Sequence, residues 1–540
     1  MKSQCLPFTQ IPHTTRLFAD FLSYSPKVWP LYPRSPRFGD WFKDAASSLR
    51  YDAARRQQVS AILERQNRSW DASPKTLENI ARLRAGAAAV VTGQQVGLFG
   101  GPLFSIFKAL TAVKWADGAG AGGVDCVPLF WLATQDHDLA EVNHVAIPRP
   151  DSSLQTLTAP THGLPDAPVG AITFGAEIEP VVAAAAELLG DSEITDFLRN
   201  SYRPGETFGS AFARLFARLF ADWGVILLDS SDPALSKLSQ PIYHAAIERA
   251  VELNEKLLAR GRELEAADYH QQVKVTSAST LLFALRNGSR VPIHQEARKG
   301  GLPEFRIGQE AVSQAELLRR IDAEPQNFSA NVLLRPIKQD YLLPTLAYTG
   351  GAAEVAYFAQ SAVVYETLAD NVTPIVPRFS ASLIERKAQQ LLERYRLSLP
   401  GVFCGPDQLR EKLAAHSLSQ DLQHSFDHAE VSVEKSLADI RDQLAGLDKT
   451  LMDSATHAAE KMKYQLTQLR ARAARAELRQ SEILARHADF LSNTLYPNKA
   501  LQEREAAGVH FLAHHGRELL RGLYETIRTD CLEHQAITLD

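Results

Sequence analysis

The chain has 540 residues, 45% of them hydrophobic and 22% charged, which argues against wholesale disorder or a fibrous repeat and gives room for about three structural units. Its 58 Lys and Arg against 63 Asp and Glu leave a net charge of −5, so it has no overall basic field with which to grip a nucleic-acid backbone, and nucleic acid is not expected as the main partner. No apolar run approaches the roughly 18–20 residues of a membrane-spanning helix, and the first twenty residues lack an apolar segment of signal-peptide length. A cytoplasmic location without a membrane partner is the expectation. Four cysteines, Cys5, Cys126, Cys404 and Cys531, lie far apart with no CxxC or Cys/His spacing, so reduced, mostly buried thiols are expected rather than a disulfide framework or a zinc site.

Taken in chain order, Ala87 to Thr92 reads as a buried strand running into Thr92-Gly-Gln-Gln-Val-Gly-Leu-Phe-Gly-Gly and a helix that starts near Pro102. Glycines let backbone N–H groups approach an anion, and a helix N-terminus adds unpaired donors, so strand, turn and helix together suggest an anion site. A tight turn kept for packing is the alternative. The segment fits neither GxxxxGK[ST] nor GxGxxG. A literal GxGxxG at Gly118, Gly120 and Gly123 follows the helix Leu103 to Trp115 and precedes a strand, the wrong order for a dinucleotide site, and is read as a connecting loop.

The next strand, Cys126 to Ala133, delivers the polar run Thr134 to His144 to the edge where an open α/β sheet places its ligand. His137, Glu141 and His144 stand at i, i+4 and i+7 and on a helix would share one face, able to ligate a metal or move protons. That keeps a metal-dependent hydrolase as a rival function, with capping of a short helix as the plainer explanation. Gly224 to Leu228 reads as a third strand, and the Pro- and Gly-bearing stretches near 145–205 and 255–330 as insertions over the sheet. A third polar cluster, Asn331 to Asp340 followed by Tyr348-Thr-Gly-Gly351, again places glycines before a helix, Ala352 to Leu368, that carries Glu354 and Tyr357. Arg335, Lys338 and Asp340 there suit a carboxylate or phosphate clamp, or else surface ion pairs. Val372 to Pro377 closes the region as a short strand. No GxSxG elbow is present, and no Cys has an activating context, which disfavours covalent catalysis.

Near residue 380 the composition turns to strong helix formers. Leu437, Ile440, Leu444, Leu447 and Leu451 form a heptad seam that Ala455, Ala458, Met462, Leu466 and Leu469 continue with one residue of offset, as in an irregular coiled coil or an antiparallel hairpin. Its partner is another subunit or the helix Ser382 to Leu397, the alternative being a solvent-facing helix packed on its own core.

TGQQVGLFGGPLFSIFKAL, PLFWLATQDHDLAEVNH and NVLLRPIKQDYLLPTLAYTGGAAEVAYFAQ closely resemble the BshC family, cysteine-adding enzymes of bacillithiol biosynthesis, and GETFGSAFARLFARLF, IVPRFSASLIE and NTLYPNKALQERE extend the likeness over nearly the whole chain. The resemblance implies an α/β fold: a Rossmann-like parallel-sheet core over 1–380 with connecting insertions, an α-helical coiled-coil domain over 381–500 that pairs subunits into a homodimer, and a C-terminal segment 501–540 packing back on the core. It implies a ligase that joins the carboxyl group of cysteine to the amino group of glucosaminyl-malate, with ATP or another adenine nucleotide, and Mg2+ with it, as the activating cofactor. A non-catalytic nucleotide-binding scaffold is the second alternative. On the adenylate hypothesis Thr92, Gly93, Gln94, Gln95, Gly97, Gly100, Gly101, Ser105 and Lys108 hold the nucleotide, although neither an HIGH-like nor a KMSKS-like motif is present. Asp136, His137, Asp138 and His144 are the candidates for acid–base work. Asn331, Arg335, Gln339, Asp340, Tyr348, Gly350, Gly351, Glu354 and Tyr357 are the candidates for binding malate carboxylate, sugar hydroxyls or the cysteine ammonium.

Overall fold

A computed structural model describes residues 1–296, 303–369, 371–417, 420–444, 451–480 and 482–539. They form two compact units. The larger comprises Met1–Pro148, Gln155–Ala381 and Glu503–Gln535. At its centre lie five parallel strands, β1 (Ala88–Gln94), β2 (Cys126–Leu132), β3 (Ile226–Asp229), β4 (Thr345–Gly350) and β5 (Ile375–Pro377), in the order β5-β4-β1-β2-β3. Every residue of β2 and β4 is buried, as a parallel sheet covered on both faces requires, which explains why β2 reads as a continuous apolar run rather than an alternating one.

Helices cover the sheet. α1 (Phe104–Ala121), α2 (Arg335–Leu342) and α3 (Ala352–Leu368) are the three that bear on the site. α1 is apolar nearly all round and packs Ala112, Trp115, Ala116 and Ala119 into a cluster with Val90, Cys126, Leu346 and Val376. That packing carries the helix through Gly118 and Gly120, which the sequence assigned to a loop, so the chance GxGxxG begins in the last turn of the helix and ends in the turn after it. β4 was not foreseen as a strand. It lies inside the sheet between β5 and β1, pairing Tyr348 with Val91.

The insertion near 255–330 supplies a five-stranded antiparallel sheet, in the order Glu310–Ser313, Glu304–Ile307, Ser289–Glu296, Ser279–Arg286, Phe328–Ala330. The other supplies helices Ile178–Leu189 and Glu193–Ser201.

One expectation is corrected at the chain's ends: Cys5 and Cys531 form a disulfide across 526 residues of sequence, with Cα atoms 6.4 Å apart. Spacing rules see only local cysteine pairs, and these two meet because the terminal segments come together, with Ser3 Oγ donating to Gln535 Oε1 at 2.8 Å and the Phe8 N–H to Glu533 Oε2 at 2.6 Å. Cys126 is free and buried, its thiol pushed up to about 12 by desolvation, and Cys404 is free and half-buried.

The second unit comprises Arg149–Leu154, Ser382–Gln502 and Ala536–Asp540. Its long helices Gln420–Leu444 and Leu451–Gln480 run antiparallel, with ion pairs Glu434–Lys463 at 2.9 Å and Asp427–Arg470 at 2.8 Å setting the register. The heptad seam therefore belongs to a hairpin rather than one continuous helix. Leu447 lies outside the described residues. Ala455 is buried, whereas Ile440, Met462 and Leu469 are about half exposed, at 49%, 48% and 55%. The stretch expected as one helix, Ser382 to Leu397, opens as a strand and becomes helical only over Arg386–Arg394. No helix among the described residues is long and apolar enough to cross a membrane.

Candidate active site

The C-terminal ends of β1, β2 and β4 open into a cavity of about 390 Å3, where an open α/β sheet places its ligand. It is lined by Gly93, Gln94, Gln95 and Lys108 from the first cluster and Trp131, Asp136 and Glu141 from the second. Asn331, Arg335, Tyr348, Gly351, Glu354 and Tyr357 come from the third, with Phe104, Arg378 and Arg504 alongside. The three polar clusters, the third lying nearly two hundred residues beyond the second, thus share one wall.

Its electrostatic centre is a buried ion pair. Lys108 turns back along α1 so that Nζ donates to Gly93 O at 2.7 Å, Gln94 Oε1 at 2.8 Å and Glu354 Oε1 at 2.6 Å. Glu354 also accepts from the Tyr348 hydroxyl at 2.9 Å and the Gly351 N–H at 2.6 Å. Burial works against the charge on Glu354, and the Lys108 ammonium more than offsets it, so the carboxyl lies below the ordinary Glu range. Desolvation pulls Lys108 down to about 8, with Glu354 resisting.

Arg335 sits beside this pair. It donates to Tyr357 Oη at 2.7 Å and Gln339 Oε1 at 3.0 Å, and its guanidinium lies 5.0 Å from the Tyr348 ring centre. Gln339 Nε2 in turn donates to Asp340 Oδ1 at 3.1 Å, and Asp340 accepts from the Tyr365 hydroxyl. Gln339 and Asp340 therefore do not line the cavity as expected; they stand behind Arg335 and fix its direction. Lys338 is also corrected. It is buried away from the cavity, donates to Gln135 Oε1 at 3.2 Å, and is lowered to about 7 by desolvation and by Arg290.

The expected anion cradle is corrected at both helix starts. In the glycine turn the Gly100 N–H goes to Tyr202 Oη at 3.1 Å, Gly101 to Leu98 O at 2.9 Å and Gly97 to Gln95 O at 3.0 Å. Ahead of α1, the Leu103 N–H donates to Ala506 O at 2.9 Å. Gly100 and Gly101 have φ of +84° and +71°, so glycine is kept there for backbone shape, and Leu215 and Phe216 close over Gly100. Thr92 is buried with its hydroxyl on Thr349 O, and Ser105 is buried beneath the turn. At α3 the Gly351 N–H is capped by Glu354 of the same helix. Gly350 stands behind that cap, where a Cβ would meet Glu354 Cβ at 2.7 Å. With these glycine amides bonded within the protein, the positive charge in the cavity comes from side chains.

Of the acid–base candidates, Asp136 faces the cavity, its carboxyl raised by desolvation and held back by Arg290 and Arg335. His137 points to Arg290, with Nδ1 and Nη1 3.2 Å apart. Asp138 and His144 are exposed, the latter on the strand His144–Pro148. The helix between them spans only Leu139–Val142, so His137, Glu141 and His144 do not share a helical face, and no group of three or more His, Cys, Asp or Glu suited to a metal occurs among the described residues.

Arg378 and Arg504 were missed. Arg378 pairs with Glu503 at 2.6 Å and packs 5.3 Å from the Phe104 ring centre. Both arginines lie inside segments quoted above for resemblance, IVPRFSASLIE and NTLYPNKALQERE, but no spacing rule links residues 378 and 504 to a turn at 93.

Residues 1–379 match the family model described as the N-terminal Rossmann-like domain of bacillithiol biosynthesis BshC, and residues 381–539 match its C-terminal coiled-coil domain. A protein of Koribacter versatilis named "Putative cysteine ligase BshC" is 48% identical over 99% of this chain and 100% of its own length. Proteins of the same name from Solibacter usitatus and Salinibacter ruber are 35% and 32% identical, covering 100% and 96% of both chains. With a Rossmann-like sheet, a helical hairpin unit and a charged cavity at the sheet's C-terminal edge, the chain belongs to the BshC family of bacillithiol biosynthesis.

Proposed function

We propose that the protein is the cysteine ligase of this pathway, forming an amide between the carboxyl group of cysteine and the amino group of glucosaminyl-malate. The observation that carries the reading is the cavity's charge: Arg335, Arg378 and Arg504 converge on it, and the hydrogen bonds of Arg335 go to neutral acceptors, which leaves its fork suited to a malate carboxylate. The buried Lys108–Glu354 pair keeps a fixed carboxylate beside those cations, and Glu354 suits an ammonium or sugar hydroxyl.

An amine attacks only after losing its proton. Asp136, at the cavity wall with a raised pKa, suits that proton because an acceptor works best when its pKa approaches the operating pH. A free carboxylate does not acylate an amine, so the cysteine carboxyl needs activation, and an adenine nucleotide is the proposed co-substrate. Its phosphates are not assigned to the glycine turn, whose Gly97, Gly100 and Gly101 amides are already bonded. A second copy of the chain is the proposed partner of the exposed apolar side chains on the helical hairpin.

The test is incubation of the protein with cysteine, glucosaminyl-malate and ATP, following amide product and nucleotide by mass spectrometry. Product with AMP supports an acyl adenylate, product with ADP an acyl phosphate, and folded protein giving no product refutes the proposed substrates.

A further inference from the structure

We propose that Arg290, from the inserted antiparallel sheet, is a positioning residue for the proton-transfer step: it holds Asp136 at the junction of two cavities and fixes His137 as a hydrogen-bond donor through Nε2. The inference rests on the amide-forming reading above.

The junction is geometric. Beside the cavity of about 390 Å3 lies a second of about 360 Å3, between the antiparallel sheet and the helices packed on it, and Asp136, Asn331 and Val332 line both. Asp136 is thus the one carboxylate that both cavities share. Arg290 reaches it from the strand Ser289–Glu296 with a side chain only 7% exposed, placing Nη1 3.6 Å from Asp136 Oδ1. The rest of the guanidinium is immobilised. Nε donates to Ser329 Oγ at 3.0 Å, Nη2 to Ala330 O at 2.7 Å, and the group lies 4.0 Å from the Phe283 ring centre.

The same Nη1 lies 3.2 Å from His137 Nδ1. A guanidinium only donates, so Nδ1 is the acceptor and the proton of the neutral imidazole sits on Nε2. A ring in that state has no lone pair left for a substrate proton. The expectation that His137 acts as base gives way to Asp136 as acceptor, with His137 spacing and orienting the loop. Asp136 faces Arg290 from the inserted sheet, Arg335 from α2 and His137 and Asp138 from its own loop; Glu141 shares its cavity, and Lys338 bonds the adjacent Gln135.

The step balances as follows. The substrate ammonium passes a proton to the Asp136 carboxylate; the freed amine lone pair forms the C–N bond at the activated cysteinyl carbonyl; the activating group leaves with its bonding electron pair, and the nitrogen gives its second proton to that departing group, leaving the neutral amide; Asp136 then returns the first proton to solvent.

Two readouts separate this inference from the functional reading. In full-length protein labelled with 15N-histidine, with the His137 signal identified by its loss in His137→Gln, long-range 1H–15N correlation at pH 8 is expected to show the Nε2–H tautomer, and Arg290→Met a mixture of tautomers. An Nδ1–H ring in the wild type, or an unchanged pattern in Arg290→Met, overturns the proposal. In ligation assays Arg290→Met is expected to lower kcat by about tenfold or more, with KM for the amine within about twofold, and to move the acid limb of the pH profile upward. Arg290→Lys, which retains the charge and guards against a misfolded Met variant, is expected to restore the limb while leaving the tautomers mixed. A limb unmoved in Arg290→Met, or one that Arg290→Lys fails to restore, also overturns it. A wild type that makes no amide removes the functional reading and leaves the tautomer measurement to decide the role of Arg290.

Discussion

Replacing Glu354 by Gln removes one charge from a buried ion pair in the cavity wall and changes little else in shape. The carboxylate accepts from Lys108 at 2.6 Å, Tyr348 at 2.9 Å and Gly351 at 2.6 Å, with side-chain exposures of 4% for Lys108 and 14% for Glu354. Breaking a buried pair by removing one partner costs about 3–5 kcal/mol, because the other charge stays buried without compensation. Gln can still accept from one or two of the donors, so the lower end, about 3 kcal/mol, is expected. The cost also depends on pH. Lys108 is held at about 8 with Glu354 present and falls further without it, while the unfolded chain keeps an ordinary Lys near 10.5. Where the unfolded state binds more protons, stability rises with pH, so the variant recovers stability from a lower pH than the wild type. Urea midpoints followed by tryptophan emission at pH 6, 7.5 and 9 measure this, together with a double-mutant cycle using Lys108→Met, for which a coupling of about 2–3 kcal/mol is expected. A cost within about 0.5 kcal/mol of zero, or an additive cycle, would refute the idea that this pair organises the site.

Arg335→Lys keeps the charge but loses the fork held by Gln339 and Tyr357, and titration calorimetry with malate is expected to show affinity weakened about tenfold or more. Lys338→Met removes a buried ammonium lowered to about 7; the wild type gains stability from this group as pH rises from about 7 toward 10, and the variant is expected to lose that slope in melting curves. Leu469→Asp places a charge on an apolar side chain 55% exposed on the hairpin, and sedimentation is expected to give monomers; an unchanged dimer assigns the contact elsewhere. Reductant is expected to lower the unfolding midpoint of the wild type by an amount corresponding to about 2–4 kcal/mol while leaving Cys5→Ser unmoved, as loss of a link between distant cysteines requires.

The parts of the fold that were legible in sequence are those where burial leaves a continuous or periodic signature. β1 and β2 read as strands because both faces of the sheet are covered, and α3 reads as a helix because its long run is predominantly apolar. β4 was hidden because its run Thr345–Gly350 is short and its strand neighbours come from residues 88–94 and 375–377. Within the site, Gly93, Lys108, Asp136, Arg335 and Glu354 were found because each lies in a dense polar or glycine cluster at an element's end. What failed was the use of the glycines: composition shows that a turn is permitted but not whether its amides are already bonded, and here Tyr202, 102 residues beyond Gly100, takes one of them. Arg290 left no signal, since a single arginine in a strand acquires meaning only from what the fold sets opposite it.

The cavity's charges are also far apart in the order of synthesis. Lys108 is separated from Glu354 by 246 residues, and Arg378 from Glu503 by 125. At about 5–20 residues per second, a ribosome leaves Arg378 without its counter-charge for roughly 6–25 s while it makes the helical hairpin unit that intervenes in sequence. Translation must therefore pass the hairpin before the cavity is electrically complete, and a message broken anywhere within that stretch yields a sheet without a finished site.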